Sequence, residues 1–317
     1  MTRMNGPVAI KRVGGYVADE VRQALAEALA ALGGLKAFVR PGQNVLVKPN
    51  LIAARPASQT HPVVVVELAR LIREFGCDVA VADSPAWASI RWNARRSGLL
   101  ELTAANDIPL FELAQPVRVE TGNPDFRRLT ISRQALKADA VINVPKLKTH
   151  QQLGLTAGVK NMFGIVPGKR KAWWHFAAGR GEDHFARMIV QTFLAAKPVL
   201  TVIDAIEAME GRGPIGGAAR QLNLLIASQN AFAAELAACR LIGADPHNLP
   251  ILRAGWDCGV APERLETVQI VGGQPAEPVV DDFVFPPRMP VGFSLGRVAK
   301  SVVSQVGILT RNALGRP

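Results

Sequence analysis

Residues 44–83, with the sequence NVLVKPNLIAARPASQTHPVVVVELARLIREFGCDVAVAD, contain the pattern that decides the fold. Residues 44–48 are a short apolar run typical of a buried strand, which ends at Pro49 because proline has no N–H to donate to a neighbouring strand. A helix is predicted over residues 62–76 and a second strand over residues 78–82. Such an alternation of strands and helices predicts a parallel sheet with helices on its faces.

The same alternation extends to both sides of this stretch. Further strands are predicted at residues 7–13, 109–113, 140–144, 199–204, 222–227 and 266–271. Further helices are predicted at residues 18–32, 91–102, 183–196 and 231–242, with an antiparallel excursion within residues 117–131. We therefore expect an α/β fold with two lobes, a mostly parallel sheet in the N-terminal lobe and a second, smaller α/β lobe. The predicted divisions are an N-terminal lobe (1–145), a basic, Gly-rich active-site loop (146–181), a second lobe (182–282) and a basic, Pro-rich tail with a linker helix (283–317).

The predicted active-site loop carries positive charge and no acid. No Asp or Glu occurs between Asp139 and Glu182, so the lysines and arginines there raise the local potential and favour an anionic ligand. The glycines of this segment allow backbone N–H groups to approach a bound group closely. A solvated basic loop is the alternative, since runs of charge are usually exposed. The apolar residues interleaved with the charges argue against that alternative, because they need to pack.

Composition excludes several classes of protein. A chain of 317 residues with 49% hydrophobic and 20% charged residues is typical of a folded globular protein. The sequence has no apolar stretch long enough for a membrane span and no secretory signal, so we expect a cytoplasmic location. Three scattered cysteines without a C-x-x-C pair provide no ligands for an iron–sulfur cluster. The net charge of +11 lies unevenly in the basic segment and the tail, and no nucleic-acid-binding motif accompanies it, which argues against a nucleic-acid partner.

Polar side chains follow three of the predicted strands. Ligands of open α/β sheets bind outside the carboxyl ends of the strands, so these side chains form the candidate site. They are Lys48, Asn50, Asp83, Ser84, Lys146, Lys148 and His150. Neighbouring lysines should lower the basicity of His150, which leaves a neutral imidazole able to accept a proton. His61 either packs locally at the start of its helix or faces the same crevice.

Two glycine-rich motifs do not indicate a nucleotide site. Residues 211–216 (GRGPIG) match the spacing of the dinucleotide fingerprint, but they do not follow a strand directly and they lead into a strand rather than a helix. A ligand-facing turn and a plain connecting turn are both compatible with them. Residues 168–171 (GKRK) lack the spacing of a phosphate-binding loop.

Six short motifs, taken together, resemble one family. They are KPN (48–50), THP (60–62), DSP (83–85), KLKTH (146–150), KNMFGIVPG (160–168) and EGRGP (210–214). The family is an uncharacterised one, known as a domain of unknown function found in iron–sulfur proteins and often fused to a ferredoxin-type module. The resemblance implies a ferredoxin-type partner or module, although this chain holds no cluster ligands of its own.

The basic segment is similar, more distantly, to the nickel-pincer lactate racemase family. His150 and Lys160 keep that family's spacing of ten residues between a proton-handling histidine and the lysine that anchors the cofactor, and residues 166–168 (VPG) match the end of its loop. The resemblance implies catalytic roles for His150 and Lys160, a nickel-pincer nucleotide or another anionic cofactor, and a nickel ligand at His175. Residues 48–50 replace that family's acidic-and-arginine substrate motif, which leaves the substrate and the reaction open.

These observations favour an enzyme of redox or isomerase type that acts on an anionic small molecule, either a carboxylate or a phosphate. A non-catalytic module that binds an anionic cofactor or an acidic partner such as ferredoxin is the alternative. The predicted catalytic residues are His150 and Lys160. The predicted anion-binding residues are Lys48, Asn50, His61, Asp83, Ser84, Lys146, Lys148, Asn161, Gly168 and Lys169.

Overall fold

A computed structural model describes residues 6–289, except 54, 56, 86–87, 169, 178–180 and 274–276, and only the backbone of residues 172 and 175–177. The described strands are β1 (Val8–Arg12), β2 (Asn44–Pro49), β3 (Asp78–Asp83), β4 (Leu110–Glu112), β5 (Pro116–Glu120), β6 (Arg128–Ser132), β7 (Ala140–Val144), β8 (Lys146–His150), β9 (Gly154–Thr156), β10 (Leu200–Glu210), β11 (Ala218–Ser228) and β12 (Ile270–Val271). The described α-helices are α1 (Ala18–Ala31), α2 (Pro62–Glu74), α3 (Ile90–Ser97), α4 (Leu99–Ala105), α5 (Arg133–Lys137), α6 (Gly158–Asn161), α7 (Arg170–Ala177), α8 (Glu182–Ala196), α9 (Ala231–Leu241) and α10 (Pro250–Asp257). The predicted linker helix of the tail and Lys169 lie outside the described residues.

One large sheet holds ten of these strands. Its order is β12-β1-β11-β10-β7-β2-β3-β4, and β8 pairs with β10 while β9 pairs with β8. The strands from β10 to β4 along this order are parallel, whereas β11 is antiparallel to both of its neighbours. Strands β5 and β6 form a separate antiparallel pair, as predicted for residues 117–131. The predicted α/β fold with a mostly parallel sheet is therefore confirmed.

Helices cover both faces of the sheet, because adjacent residues of each central strand point in opposite directions. Val45 and Val47 of β2 join the apolar core under α1 and α2. Leu46, which lies between them, joins the core under α8, α9 and α10. The near-continuous apolar sequence of β2 follows from this burial on both faces.

Two predicted elements differ from the structure. The single helix predicted over residues 91–102 is two helices, α3 and α4, because Gly98 between them has a φ of 79°, a left-handed conformation that glycine adopts without strain. The strand predicted over residues 266–271 is wrong over most of its length. Leu265–Thr267 is a 3-10 helix, and only Ile270–Val271 pairs with β1.

The basic segment is not a solvated loop. It contains β8, β9, α6, a 3-10 helix (Met162–Ile165) and α7. Its apolar side chains, such as Leu147, Val159 and Ile165, are fully buried and hold the segment against the body of the protein. Lys146, Lys148 and Lys171 are buried with the strand and the helix that carry them, and Lys160 is partly exposed.

Strands from both predicted lobes lie side by side in the large sheet. Strand β1, from the beginning of the chain, pairs with β11, and β7 pairs with β10. The predicted lobe boundaries stay a prediction, and the sheet is continuous across them.

The described helices are short. The longest, α8, has 15 residues. No helix in the described part of the chain is long and apolar enough to cross a membrane. A cytoplasmic location stays a prediction.

Candidate functional site

The carboxyl ends of neighbouring parallel strands bring the predicted polar residues together. Lys48 lies near the end of β2, and Asp83 is the last residue of the adjacent strand β3. Strand β7 ends at Val144, and after one proline the chain enters β8, where Lys146, Lys148 and His150 alternate with Leu147 and Thr149. Since alternate residues of a strand share a face, the two lysines and the histidine are on the same side of β8.

The first buried ion pair joins β2 to β3. Lys48 Nζ lies 2.7 Å from Asp83 Oδ1, and the Lys48 side chain is 0% exposed. Burial lowers the pKa of Lys48, and the negative charge of Asp83 opposes that shift. Asp83 also accepts hydrogen bonds from the backbone N–H groups of Leu51 (2.9 Å) and Ser84 (2.8 Å). These bonds fix the carboxylate, so the ion pair is a rigid part of the site.

A chain of amides ties α6 to the strand ends. Asn161 Oδ1 accepts hydrogen bonds from Lys48 Nζ (3.4 Å) and Asn50 Nδ2 (3.0 Å). Asn161 Nδ2 donates to Asn143 Oδ1 of β7 at 2.8 Å. Asn143 Nδ2 in turn donates to the carbonyl of Gly158, the first residue of α6, at 2.7 Å. Helix α6, with Lys160 on it, is therefore fixed in register with β2 and β7.

Lys148 is a buried cation that forms no ion pair with any described residue. Its Nζ donates to Asn50 Oδ1 at 2.6 Å and to the carbonyl of Ser58. Burial lowers its pKa well below the usual value, and the positive charges of Lys160 and Lys146 lower it further. Thr156 lies directly opposite Lys148 on β9, and its buried Oγ1 has no hydrogen-bond partner among the described residues.

Two more lysines lie beside the first ion pair. Lys160 is partly exposed and forms no hydrogen bond or ion pair within the described part of the chain. Its pKa is lowered to about 8, because its amine is surrounded by protein atoms and lies near the charge of Lys48. Lys171 of α7 is buried and donates to the carbonyl of Ser84. Burial also lowers the pKa of Lys171 to about 8. Both ammonium groups can exchange a proton near neutral pH.

The second buried ion pair joins β8 to β10. Lys146 Nζ lies 3.0 Å from Asp204 Oδ2. Tyr16 donates its hydroxyl hydrogen to Asp204 Oδ1 (3.0 Å) and accepts from Lys146 Nζ (2.6 Å). Burial and the negative charge of Asp204 raise the pKa of Tyr16, which therefore stays protonated. Asp204 lies beside an irregularity in the β10–β11 register, between Ala205 and Glu207.

His61 lies on the partly exposed side of this second pair. Its ring stacks on the Tyr16 ring with centroids 3.6 Å apart and planes 11° from parallel. Burial lowers the pKa of His61 to about 4, with Lys146 contributing and Asp204 opposing. Nδ1 accepts a hydrogen bond from the backbone N–H of Val63, so the neutral ring carries its hydrogen on Nε2. His61 can thus offer a neutral hydrogen-bond donor to a ligand.

The structure gives fewer contacts for the remaining predicted residues. His150 is buried at the end of β8, and its Nδ1 accepts from the backbone N–H of Gln152 at 3.2 Å. The backbone N–H of Gly168 donates to Ser84 Oγ at 3.1 Å, which places Gly168 at the edge of the site. The backbone of His175 is in α7, and its side chain lies outside the described residues.

Four contributing residues were not among the predicted site residues: Tyr16, Asn143, Lys171 and Asp204. A signal existed for Asp204, because it ends the predicted strand 199–204 just as Asp83 follows the predicted strand 78–82. No local signal marks Tyr16, which reaches the site across 188 residues of sequence to contact Asp204.

The fold and this geometry define a class: an α/β protein with a cluster of five lysines at the carboxyl edge of its sheet. We call Lys48, Lys146, Lys148, Lys160 and Lys171 the lysine cluster. The chain belongs to the family described as "Domain of unknown function (DUF362)", whose model matches residues 45–240. The family resemblance of the six motifs is therefore confirmed, while the iron–sulfur association and the ferredoxin-type module stay predictions.

One relative and one solved structure are similar to this chain to different degrees. The thylakoid-associated protein sll1697 of Synechocystis sp. is 41% identical over 298 residues, which cover 93% of this chain and 92% of that protein. The structure of the lactate racemase apoprotein from Thermoanaerobacterium thermosaccharolyticum matches with a TM-score of 0.47 and 14% identity. That match covers 75% of this chain but only 57% of the racemase chain.

Proposed function

We propose that this protein is an enzyme that binds a small carboxylate or phosphate at the lysine cluster and moves a proton on it, in a reaction of isomerase or redox type. The observation that supports the proposal is an excess of lysines over carboxylates at the site. Asp83 and Asp204 pair with Lys48 and Lys146, and the other three lysines of the cluster have no carboxylate partner among the described residues.

Uncompensated buried charges are costly, and the cost explains the lowered pKa values. Each buried ammonium loses hydration and is repelled by its neighbours, so its neutral form is favoured. An anion bound among Lys148, Lys160 and Lys171 would reverse both effects, because opposite charge favours the protonated form. The arrangement therefore suits an anionic ligand better than a neutral one.

Proton transfer is the chemistry that the titratable groups favour. A group with a pKa near the working pH transfers protons efficiently, and Lys160 has a pKa of about 8. Lys160 is also the most accessible of the unpaired cluster lysines, since Lys148 and Lys171 are buried. In this proposal Lys160 exchanges the proton with the substrate and His150, on the same face of β8 as Lys148, is the second proton-handling group.

The other predicted residues have supporting roles in the proposal. Asn50 and Asn161 hold Lys148 and Lys48 in place, and Asp83 with Ser84 fixes the neighbouring backbone. His61 offers Nε2–H at the partly exposed side of the site. The two asparagines, Ser84 and the neutral His61 add no charge, and the charge of Asp83 is paired with that of Lys48.

Burial favours a small ligand over a macromolecule. Lys48, Lys146 and Lys148 are at most 1% exposed, so the surface of an acidic protein or a nucleic acid cannot contact them. A ferredoxin-type partner, as the family resemblance implies, would therefore need another surface. The alternative function is therefore a non-catalytic module that binds a small anionic cofactor at this site, rather than one that binds an acidic protein there.

The nickel-pincer nucleotide implied by the racemase resemblance fits this chain in part. Lys160, with its unpaired amine and lowered pKa, suits the lysine that would hold the anionic cofactor. The described residues contain no group of three or more His, Cys, Asp or Glu side chains placed to hold a metal ion. These side chains therefore do not match the nickel of the cofactor, and the proposed proton transfer does not involve the cofactor.

Binding is tested first, with inorganic phosphate and with small 2-hydroxy and 2-oxo carboxylates as probes in calorimetry at low ionic strength and pH 7. Lys148→Met should abolish binding, because methionine keeps the length of the side chain and removes its charge. Lys36→Met, at an exposed lysine of a 3-10 helix, is the matched control and should bind like the wild type. Equal binding by wild type and Lys148→Met would refute the proposed site, and so would no binding of any probe.

Proton transfer is tested separately on the probes that bind. In D₂O, the enzyme should exchange the hydrogen on C2 of a bound 2-hydroxy carboxylate or the hydrogens on C3 of a bound 2-oxo carboxylate, which proton NMR follows as loss of signal. Inorganic phosphate has no carbon-bound hydrogen and is used for binding only. Lys160→Met should stop the exchange while the probe still binds. Binding without exchange for every probe would leave the anion site standing and refute the catalytic part.

A further inference from the structure

A cleft lies between α8 and α10, and it is independent of the lysine cluster. Its volume is about 330 Å³. The lining residues are Asp183, Arg187, His247, Arg253, Trp256 and Asp257, none of which belongs to the site described above. A ligand in this cleft would therefore contact none of the residues of the lysine cluster.

One of its two arginines has a structural role. Arg253 Nη2 lies 2.6 Å from Asp183 Oδ1 and 2.8 Å from Glu182 Oε1, and Arg253 Nη1 donates to the carbonyl of His247 at 3.0 Å. These bonds join the start of α8 to α10 and to the turn before α10. The charge of Arg253 is balanced, and this arginine forms a fixed wall of the cleft.

The other arginine is not paired. Arg187 lies one helical turn after Asp183 on α8, where an ion pair between the two would be expected, but Asp183 is engaged by Arg253. Within the described part of the chain, Arg187 makes no hydrogen bond or ion pair, and its buried Nε has no acceptor. A buried donor without an acceptor costs free energy, and the Arg187 side chain is otherwise partly exposed to the cleft that it lines. Arg187 is thus suited to an acidic group that enters the cleft.

An aromatic wall faces the same space. The Trp256 ring is partly exposed and lies 4.8 Å, centroid to centroid, from the His247 ring at 38°. Trp256 Nε1 donates to the carbonyl of Pro262 at 2.7 Å, which fixes the orientation of the indole. A rigid indole offers a large apolar surface on which a planar ring can pack.

We propose that this cleft binds a small molecule composed of a planar ring and an anionic group, either a carboxylate or a phosphate. Arg187 receives the anionic group through the parallel N–H donors of its guanidinium, a geometry that matches both carboxylate and phosphate oxygens. Trp256 packs against the ring. The ion pair of Arg253 and Asp183 closes one side of the cleft. Since Asp183 is paired with Arg253, the guanidinium of Arg187 can pair with the ligand.

Saturation-transfer NMR on the full chain tests this proposal with two probes, benzoate for the carboxylate and adenosine monophosphate for the phosphate. At least one should bind with a Kd below about 1 mM. Arg187→Gln and Trp256→Leu should each weaken binding by about tenfold or more. Binding of benzoate alone or of the nucleotide alone identifies the acidic group, and inorganic phosphate without a ring should bind more weakly than the nucleotide.

Two controls separate this cleft from the lysine cluster. Arg240→Gln removes an exposed arginine at the end of α9 and should leave binding unchanged. The binding measurements are made in the Lys148→Met background, in which the lysine cluster should no longer bind anions, so that the binding observed is that of the cleft alone. Wild-type binding by Arg187→Gln, when its circular dichroism shows a folded chain, would overturn the proposal. Failure of both probes to bind in the Lys148→Met background would overturn it as well, whatever the outcome for the lysine cluster.

Discussion

Lys160 and Lys171 make the charge of the site depend on pH near neutrality. Both have a pKa lowered to about 8, so both lose their proton as the pH rises through that value. An anion needs the protonated lysines, and we expect its affinity to fall between pH 7 and pH 9. Calorimetric titration of a 2-hydroxy carboxylate, whose own charge is constant over this range, at several pH values measures this. In Lys160→Met the fall should be smaller, and an affinity that does not change with pH would contradict the assignment of these groups.

Glu235 is a second residue whose protonation has a measurable consequence. It is buried in the apolar helix α9, and its Oε1 accepts from the backbone N–H of Val159 in α6 at 2.7 Å. Burial raises its pKa from 4.5 to about 8, and the Val159 hydrogen bond opposes the shift. The unfolded chain therefore releases this proton at lower pH than the folded one, and folding becomes less favourable as the pH rises between these two values.

Glu235→Gln removes this dependence and keeps the acceptor for Val159. The free energy of unfolding of the variant, relative to the wild type, should increase with pH between the two pKa values by up to about 1.4 kcal/mol per pH unit. Urea unfolding at a series of pH values measures it. Glu101→Gln, at an exposed glutamate of α4, should show no such trend. A constant difference between Glu235→Gln and wild type would contradict the raised pKa.

The sequence identified those site residues that a local rule can find. Lys48, Asp83 and Lys146 all lie at or just after the ends of predicted buried strands, and the rule that ligands bind at carboxyl ends selects them. Tyr16 obeys no such rule, because it lies between β1 and α1 and its position depends on how this connection packs against Asp204 and Glu207 of β10. The ion pairs were also not predictable, since sequence shows that lysines and aspartates follow strands but not which of them meet.

At the scale of elements, close contact between the 3-10 helix Met162–Ile165 and the first ion pair leads to another prediction. A Cβ added to Gly164 would lie 2.5 Å from Asp83 Oδ1 and also too close to Lys48 Nζ. Neither atom can move freely, because the pair is buried and the carboxylate is held by backbone N–H groups. Gly164→Ala should therefore lower the free energy of unfolding by about 1–3 kcal/mol.

Urea unfolding of Gly164→Ala measures this cost, and calorimetry with phosphate shows whether anion binding weakens with it. Gly15→Ala is the control, because no atom lies within 4 Å of its added Cβ. Neither glycine has a positive φ, so the comparison tests contact rather than backbone conformation. If both variants are equally stable, the 3-10 helix Met162–Ile165 does not pack tightly against the ion pair.

Elements with strong periodicity were predicted well, and those decided by single residues or long-range pairing were not. The helix at 62–76 and the strands at 44–48 and 140–144 agree with the structure to within two residues. The break at Gly98 was missed, since a glycine within an otherwise helical pattern does not reveal its φ. The basic segment was predicted as a loop because its charges concealed the alternation of Lys146–His150, a strand whose lysines point into the protein.

On the scale of the whole molecule, the large sheet joins regions that the sequence divides into two lobes. Strand β7, from the predicted N-terminal lobe, pairs with β10 of the second, and β1 pairs with β11. The site depends on this junction, because the Lys146–Asp204 pair joins β8 to β10. Opening the junction would separate Asp204 from Tyr16 and His61, so site and sheet should be lost together.

We therefore expect the two regions to unfold as one unit. Leu68→Ala in α2 and Ile226→Ala in β11 each empty a fully buried position, on the α2 face and on the α9 face of the sheet respectively, and should lower the free energy of unfolding by about 2–5 kcal/mol. Hydrogen exchange followed by mass spectrometry, read in α2 and in α9, then distinguishes the alternatives. Each variant should accelerate exchange in both helices, whereas Leu136→Ala, at an exposed leucine of α5, should accelerate it in neither. If Leu68→Ala accelerates exchange in α2 alone and Ile226→Ala in α9 alone, the chain consists of two independently stable lobes and its sheet is a docked interface.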